Sequence, residues 1–129
     1  MIQNLAHIAL IVDNYDKAIK YYTTILGFEL LEDTKLSESK RWVLVKPKGS
    51  NGTSILLAQA STDEQISRIG NQTGGRVFLF LHTTDFDIYH ESLMQKGVKI
   101  NRQPVIESWG KVLVFEDLYG NLWDLIEKF

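Results

Sequence analysis

Apolar and polar positions along the chain predict a βαβββ module in its first half. Residues 5–14, "LAHIALIVDN", form an almost continuous apolar strand, and residues 15–26 carry an apolar stripe at helical spacing. Asp13 or Asn14 can cap this helix, and Gly27 is placed to end it. The three strands that complete the module are predicted at residues 28–34, 41–46 and 54–60.

The second half repeats this pattern. A β-branched and aromatic strand over residues 76–84 is followed by a second helical stripe that begins at Phe86 and ends at Gly97. The sequence "DNYD" at residues 13–16 corresponds to "TDFD" at residues 84–87, an offset of 71 positions. The remaining strands are predicted at residues 98–104, 111–116 and 122–128. Matching helix starts and ends predict a duplicated α+β chain of two βαβββ modules.

Domain organisation follows from the repeat. We predict a single domain, 1–129, in which module one spans residues 1–60 and module two spans residues 76–129. Residues 61–75, "STDEQISRIGNQTGG", are polar and read as a linker with a short helix near their start. This segment is either a plain connector or a loop that closes over a ligand.

Composition excludes several classes of partner. The chain has 129 residues, of which 14 are basic and 16 acidic, so its net charge of −2 gives no reason to expect nucleic acid or an anionic membrane. It contains no cysteine and no apolar run of the ~20 residues that span a bilayer. Its N-terminus lacks the features of a signal peptide, so we expect a cytoplasmic protein.

Two sequence features carry a resemblance to a known family. The first strand contains "HIALIV", with His7 among apolar residues, and the last strand lies in "FEDLYGNLWDLIE", residues 115–127. With the tandem modules, the chain resembles the vicinal oxygen chelate superfamily, which includes glyoxalase I, fosfomycin-resistance enzymes, extradiol dioxygenases and bleomycin-resistance proteins. The resemblance implies a curved mixed sheet that forms a ligand cup with the helices outside, and a homodimer.

The resemblance also implies four metal positions, on the first and last strands of each module. In this sequence the module offsets place His7, Leu56, Phe78 and Asp124 there. Only His7 and Asp124 can ligate a metal, and the aspartate stands where the family commonly has a glutamate. Zinc sites normally have at least three protein ligands, so the set is incomplete for nickel, zinc, manganese or iron. The sequence therefore leaves open whether the chain binds no cofactor or a divalent metal.

Aromatic and arginine side chains are the candidates for binding a substrate. Alternation along the first strand places His7 on the face opposite Leu10 and Val12, which we expect to pack under the helices. Aromatic rings can line a cup, and arginines can bind an anionic group, although packing and surface positions explain the same residues. These candidates are Arg41, Trp42, Arg76, Phe78, Phe80, Trp109 and Tyr119.

Three functions are compatible with these residues. The first is a small-molecule-binding protein of the glyoxalase, bleomycin-resistance and dioxygenase type, with an aromatic cup and an incomplete metal site. The alternative is a divalent-metal-dependent lyase or transferase of the glyoxalase I or fosfomycin-resistance type that uses His7 and Asp124 as catalytic and metal-binding residues. A metal-free enzyme in which the same pair performs acid–base chemistry is the third. Missing ligands favour the first function, and the retained pair favours the second.

Overall fold

Two four-stranded sheets, one in each half of the chain, carry the fold. The computed structural model describes residues 1–129 and divides them into two compact units, residues 1–69 and 70–129. The first unit contains β1 (His7–Val12), α1 (Tyr15–Lys20), a π-helical turn (Tyr21–Ile25), β2 (Glu29–Lys35), β3 (Arg41–Lys46), β4 (Ser54–Gln59) and α2 (Asp63–Ser67). The second contains β5 (Leu79–His82), α3 (Phe86–Gln95), β6 (Ile100–Glu107), β7 (Gly110–Glu116) and β8 (Leu122–Lys128).

Strand order is the same in both units. The first sheet runs β1-β4-β3-β2 and the second β5-β8-β7-β6. Strands β1 and β4 are parallel, as are β5 and β8, and the other pairs are antiparallel. The predicted α+β fold of tandem βαβββ modules with mixed sheets is therefore confirmed. The boundary between the units lies inside the 61–75 segment, and the single-domain organisation stays a prediction.

Alternation along β1 separates a buried face from an open one. Leu10 and Val12 are fully buried, whereas His7 and Ala9 are exposed. Tyr22, in the π-helical turn, is also fully buried in this unit. A period of two in burial is what a strand with one face on the core produces. His7 therefore stands on the open face of the first sheet.

Backbone register agrees with the correspondence between modules that the sequence offsets predict. In the first sheet Ala9 of β1 pairs with Leu56 of β4. In the second sheet Phe80 of β5 pairs with Asp124 of β8. Leu56 and Asp124 thus hold the same place in their sheets.

The two long helical stripes differ in their internal structure. The first is predicted as one helix, but α1 changes to a π-helical turn after Lys20. The Thr23 hydroxyl donates to the Ile19 carbonyl at 2.8 Å, and the Thr24 hydroxyl donates to the Lys20 carbonyl at 2.6 Å. Threonine hydroxyls bound to the preceding turn compete with the backbone ladder, which accounts for the wider turn.

No helix of the chain is both long and apolar enough to span a membrane.

Helix ends follow the sequence signals. Asn14 caps α1, because its side chain accepts a hydrogen bond from the Lys17 N–H at 2.9 Å. Gly27 and Gly97 have φ angles of 75° and 74°, in the left-handed region that favours glycine after a helix. The predicted ends at both glycines are confirmed.

The prediction for β6 is wrong at its end. The sequence predicts an end at Pro104, but the strand continues to Glu107. Pro104 lies where the register between β6 and β7 shifts, between Arg102 and Val105, and β6 is an edge strand. A proline cannot donate to the ladder, but at an irregular position on an edge no donor is required.

Candidate functional site

A cavity of about 410 Å³ opens in the first unit, where the ends of β1 and β4 meet the start of β3. Its volume is within the range of small-molecule sites. The apolar part of the wall comes from the strands. The polar part comes from Arg41 and Gln59 at the ends of β3 and β4, and from the chain before β3 and after β4. The lining residues are Ile11, Tyr15, Ser39, Lys40, Arg41, Trp42, Leu56, Leu57, Ala58, Gln59, Ser61 and Gln65.

Trp42 is the largest apolar side chain in this wall. It is half-buried, and its ring meets His7 edge to face, with centroids 5.8 Å apart and an angle of 80° between the planes. Such edge contacts favour one ring orientation over others. Trp42, Ile11 and Ala58 offer an apolar surface on which a flat molecule can lie.

Arg41 borders the same cavity within an ion-pair network. Its Nε and Nη2 donate to the two carboxylate oxygens of Asp33 at 3.0 and 2.7 Å, and its Nη1 lies 2.9 Å from Asp16 Oδ1. The guanidinium also lies 5.1 Å from the centre of the Tyr15 ring. Hydrogen bonds to both aspartates raise the pKa of Arg41 above its ordinary value, so the side chain is always charged. The paired carboxylates hold its planar fork at the cavity wall.

Two glutamine side chains complete the polar wall, and both use their carbonyl oxygens within the protein. Gln59 Oε1 accepts a hydrogen bond from the Tyr15 N–H at 3.1 Å and so satisfies the first turn of α1. Gln65 Oε1 accepts from the Ser61 N–H at 2.8 Å and from the Ser61 hydroxyl at 3.1 Å. The glutamines therefore tie the cavity to the start of α1 and to α2.

A hydrogen bond to the neighbouring strand β4 holds His7 within the first unit. Its Nδ1 lies 2.6 Å from the Ser54 hydroxyl oxygen, and that hydroxyl lies 3.3 Å from the Ala6 carbonyl. When the Ser54 hydroxyl donates to the Ala6 carbonyl, its oxygen accepts a hydrogen bond from Nδ1–H. In this neutral tautomer of the imidazole, Nε2 carries the free lone pair. The histidine of the first strand is thus fixed by Ser54 and Trp42.

Asp124 lies in the middle of the second sheet. Its register places it between Val114 of β7 and Phe80 of β5, and Arg102 stands beyond Val114 on β6. Burial raises the pKa of the Asp124 carboxyl, and the positive charge of Arg102 opposes part of that rise. A carboxyl group that favours its protonated form is a hydrogen-bond donor over a wider pH range than usual.

We expect Asp124→Asn to raise the melting temperature at pH 7. Because the pKa is raised on folding, the folded chain binds this proton more tightly than the unfolded chain does. The resulting stabilisation is complete below the unfolded pKa of ~3.9 and is lost as the pH rises through the folded value. The variant removes the buried charge, so its gain over the wild type should disappear as the pH falls towards 3. Thermal unfolding by circular dichroism between pH 3 and 8 measures this difference.

Glu116→Gln is the control, for which we expect the opposite change in melting temperature at pH 7. The hydrogen bond from the Asn101 side chain at 3.0 Å, with a smaller contribution from Lys99 at 3.3 Å, lowers the pKa of Glu116. Its charge therefore stabilises the fold above the unfolded pKa, and that stabilisation is lost as the pH falls. Glu116→Gln should lower the melting temperature at pH 7 and have little effect in acid. Equal, pH-independent effects of the two variants would contradict this account of Asp124.

Of the predicted substrate-binding residues, the structure brings Arg41 and Trp42 to the cavity, and the other five belong to the second unit. Phe78 precedes β5, and Phe80 of that strand is 62% exposed. Arg76 is exposed in the loop before β5, where its carbonyl accepts the Thr73 hydroxyl at 2.6 Å. Trp109 lies in the turn between β6 and β7, and Tyr119 lies in the turn between β7 and β8.

The side chains present do not fit a resident divalent metal. Two of the four family positions are Leu56 and Phe78, whose hydrocarbon side chains have no donor atom. Nowhere does the chain gather three or more histidine, aspartate or glutamate side chains in an arrangement that could hold a metal ion. His7 and Asp124 remain the only family positions with ligand chemistry.

Sequence reasoning did not single out the glutamines or Ala58. A signal for Gln59 does exist in the repeat, because Glu127 stands 68 positions later at the matching end of β8. Glu127 Oε1 accepts from the Phe86 N–H at 2.8 Å, as Gln59 does from Tyr15. A polar residue that recurs at the end of each module's last strand indicates a side chain that caps the module's helix.

The sequence matches a known protein family and a known protein. The family model of the glyoxalase/bleomycin resistance protein/dioxygenase superfamily matches residues 4–125. An uncharacterized protein of Shewanella frigidimarina is 55% identical over 128 residues, which cover 98% of this chain and 95% of the relative.

Solved structures give the same result. A member of that superfamily from Sphaerobacter thermophilus superposes with a TM-score of 0.81 at 29% identity, covering 98% of both chains. TnmS3, an antibiotic binding protein from Streptomyces sp. CB03234, superposes with a TM-score of 0.78 at 28% identity, covering 99% of this chain and 98% of its own.

Proposed function

Because the chain belongs to the glyoxalase/bleomycin resistance protein/dioxygenase superfamily, we propose that it binds a small organic molecule without a resident metal. The observation that carries this proposal is the cavity of about 410 Å³ in the first unit. Its wall combines an apolar strand surface with a few fixed polar groups, which is the usual character of a small-molecule site. The likeness to TnmS3, an antibiotic binding protein, supports the same kind of function.

The donor set supports binding without metal. His7 and Asp124 provide two ligands at most, and Leu56 and Phe78 stand at the other two family positions. The alternative function, a metal-dependent lyase or transferase of the glyoxalase I or fosfomycin-resistance type, needs a site that these two residues hold with water or substrate. A cytoplasmic location and a homodimer stay predictions from the sequence.

Methyl and indole NMR signals of the full chain test the binding proposal. We expect naphthalene-based probes, added in the presence of a chelator, to shift the signals of Ile11, Leu56 and the Trp42 indole. The indole of Trp123, which is buried in the second unit, serves as an internal control. Absence of any shift at millimolar probe, or shifts that avoid the cavity, would overturn the proposal.

Calorimetric titration with Ni²⁺, Zn²⁺ and Mn²⁺ separates the two functions. Protein purified without an affinity tag should bind none of these ions stoichiometrically between pH 6 and 8, because a stable site normally has three protein ligands. Stoichiometric binding that disappears in both His7→Ala and Asp124→Ala would instead support the metal-dependent enzyme.

A further inference from the structure

The polar side chains that line the cavity in the first unit leave several hydrogen-bond donors without a partner in the protein. From this we infer its ligand class, a neutral planar aromatic molecule that carries a carbonyl oxygen at its edge. The inference rests on the proposed function, since it concerns the ligand of the same cavity. The protein uses some polar atoms of this wall in its own hydrogen bonds and leaves others for a ligand.

Gln59 presents its amide nitrogen. Its Oε1 is held by the Tyr15 N–H at 3.1 Å, and that bond requires the oxygen, since two donors cannot pair. The Nε2 group therefore faces away from the helix start. No acceptor within the protein pairs with it, although the side chain is half-buried and lines the cavity.

Gln65 repeats this arrangement at the exposed rim. Its Oε1 accepts two hydrogen bonds from Ser61, so its Nε2 is again the group without a protein partner. Ser61 and Gln65 both line the cavity, and the short helix α2 carries Gln65. The side-chain amides at the two ends of the 59–65 segment thus both offer N–H donors.

Arg41 and Tyr15 add donors in the same way. A guanidinium has five N–H groups, and three of them are used on Asp33 and Asp16. The Tyr15 hydroxyl oxygen accepts from the Arg41 backbone N–H at 3.2 Å, which leaves its own O–H to donate. In the glutamines and Tyr15 the side-chain oxygen is thus engaged within the protein, and a donor group is left over.

Charge balance selects a neutral ligand over an ionic one. Arg41 and Lys40 bring two positive charges to the wall, and Asp33 and Asp16 bring two negative charges to Arg41. An anion gains little from Arg41, which two carboxylates already neutralise, and little from Lys40, which is exposed to solvent that screens its charge. A cationic ligand would bring further hydrogen-bond donors next to the donors of the wall, and two donors cannot pair. A carbonyl oxygen accepts two hydrogen bonds without bringing a charge, and the apolar face of Trp42 takes the attached ring.

Three naphthalene probes of matched shape test this inference. They are 2-acetylnaphthalene, its alkene isostere 2-isopropenylnaphthalene, and the cation 2-naphthylmethylammonium. We expect the ketone to bind the full-length chain about tenfold more tightly than the alkene, which is the effect of one or two net hydrogen bonds. The cation should bind more weakly than the alkene.

Gln59→Glu is the variant that tests the role of the Gln59 amide N–H group alone. A carboxylate oxygen still accepts from the Tyr15 N–H, as Glu127 does for Phe86 in the second unit, so folding is preserved. The group that faces the cavity changes from donor to acceptor. The variant should lose the preference for the ketone over the alkene and gain affinity for the cation. Gln65→Glu should show the same changes to a smaller extent, because Gln65 is exposed.

The outcomes distinguish the inference from the proposed function. If no probe binds, the proposed function is wrong for this cavity. If ketone and alkene bind equally well to the wild type, or Gln59→Glu keeps the ketone preference while its melting temperature is unchanged, small-molecule binding stands and the carbonyl inference is overturned. Tighter binding of the cation to the wild type would overturn it as well.

Discussion

Asp117→Ala is expected to lower the free energy of unfolding by about 3–5 kcal/mol, because it removes the acceptor of three hydrogen bonds in a buried turn. Asp117 is only 6% exposed. Its Oδ1 accepts from the Tyr119 and Asn121 backbone N–H groups, and its Oδ2 accepts from the Asn121 side chain, all at 2.9 Å. Without the carboxylate, these three hydrogen bonds in the turn between β7 and β8 are lost.

Loss of this turn should affect more than the hairpin. Gly70, at the start of the second unit, has a φ of +73° and approaches the Tyr119 carbonyl so closely that a Cβ atom would overlap it. The turn therefore also positions the chain that enters the unit.

Urea unfolding of the full chain by circular dichroism measures the loss. Asp85→Ala is the matched control, since Asp85 is exposed and makes no capping hydrogen bond to α3. It should cost less than about 1 kcal/mol, the scale of a charge near a helix start. If both variants unfold at the same urea concentration, the Asp117 network does not stabilise the fold as described.

Ala58→Trp is expected to weaken binding of 2-acetylnaphthalene by more than about 100-fold while the fold is retained. Ala58 is half-buried and lines the cavity on β4, opposite Ile11 of β1. An indole at this position occupies space that the ligand requires, and a 100-fold loss corresponds to about 2.7 kcal/mol. Because the side chain enters the cavity rather than the packed core, the melting temperature should change little.

Ala6→Trp is the matched control for bulk. Ala6 is exposed and lies five residues before Ile11, about 17 Å away along an extended chain. Binding to this variant should equal that of the wild type in calorimetric titration. If Ala58→Trp binds the probe normally, the probe does not occupy the cavity in the first unit.

Much of the fold could be predicted because its signals are local or repeated. Gly27 and Gly97 end helices at equivalent places, and a glycine after a helical stripe needs no knowledge of the tertiary structure. The equivalence of Leu56 and Asp124, predicted from offsets, agrees with the backbone register of each sheet. A duplicated module is visible in sequence because both copies obey the same local rules.

The prediction from the sequence is wrong where strand order overrides a local rule. A proline normally ends a strand, but Pro104 lies on an edge where the register shifts, so β6 continues to Glu107. The edge position is a property of strand order, which no window of sequence contains. The motif of Asp117, Gly120 and Asn121 marked the family in the sequence, but only the structure shows that its aspartate and asparagine hold a turn together.

The sequence by itself determined the two βαβββ modules, the open face that carries His7, and the hydrocarbon side chains of Leu56 and Phe78 at two positions that the resemblance implies for metal ligands. These properties depend on residue type and on the period of a strand. Only the tertiary structure decided that Arg41 and Trp42 share a cavity with Gln59, and which atom of that glutamine is left for a ligand. The Gln59 oxygen is taken by Tyr15, 44 residues away, so the polarity of the cavity wall depends on a contact that forms when the chain folds.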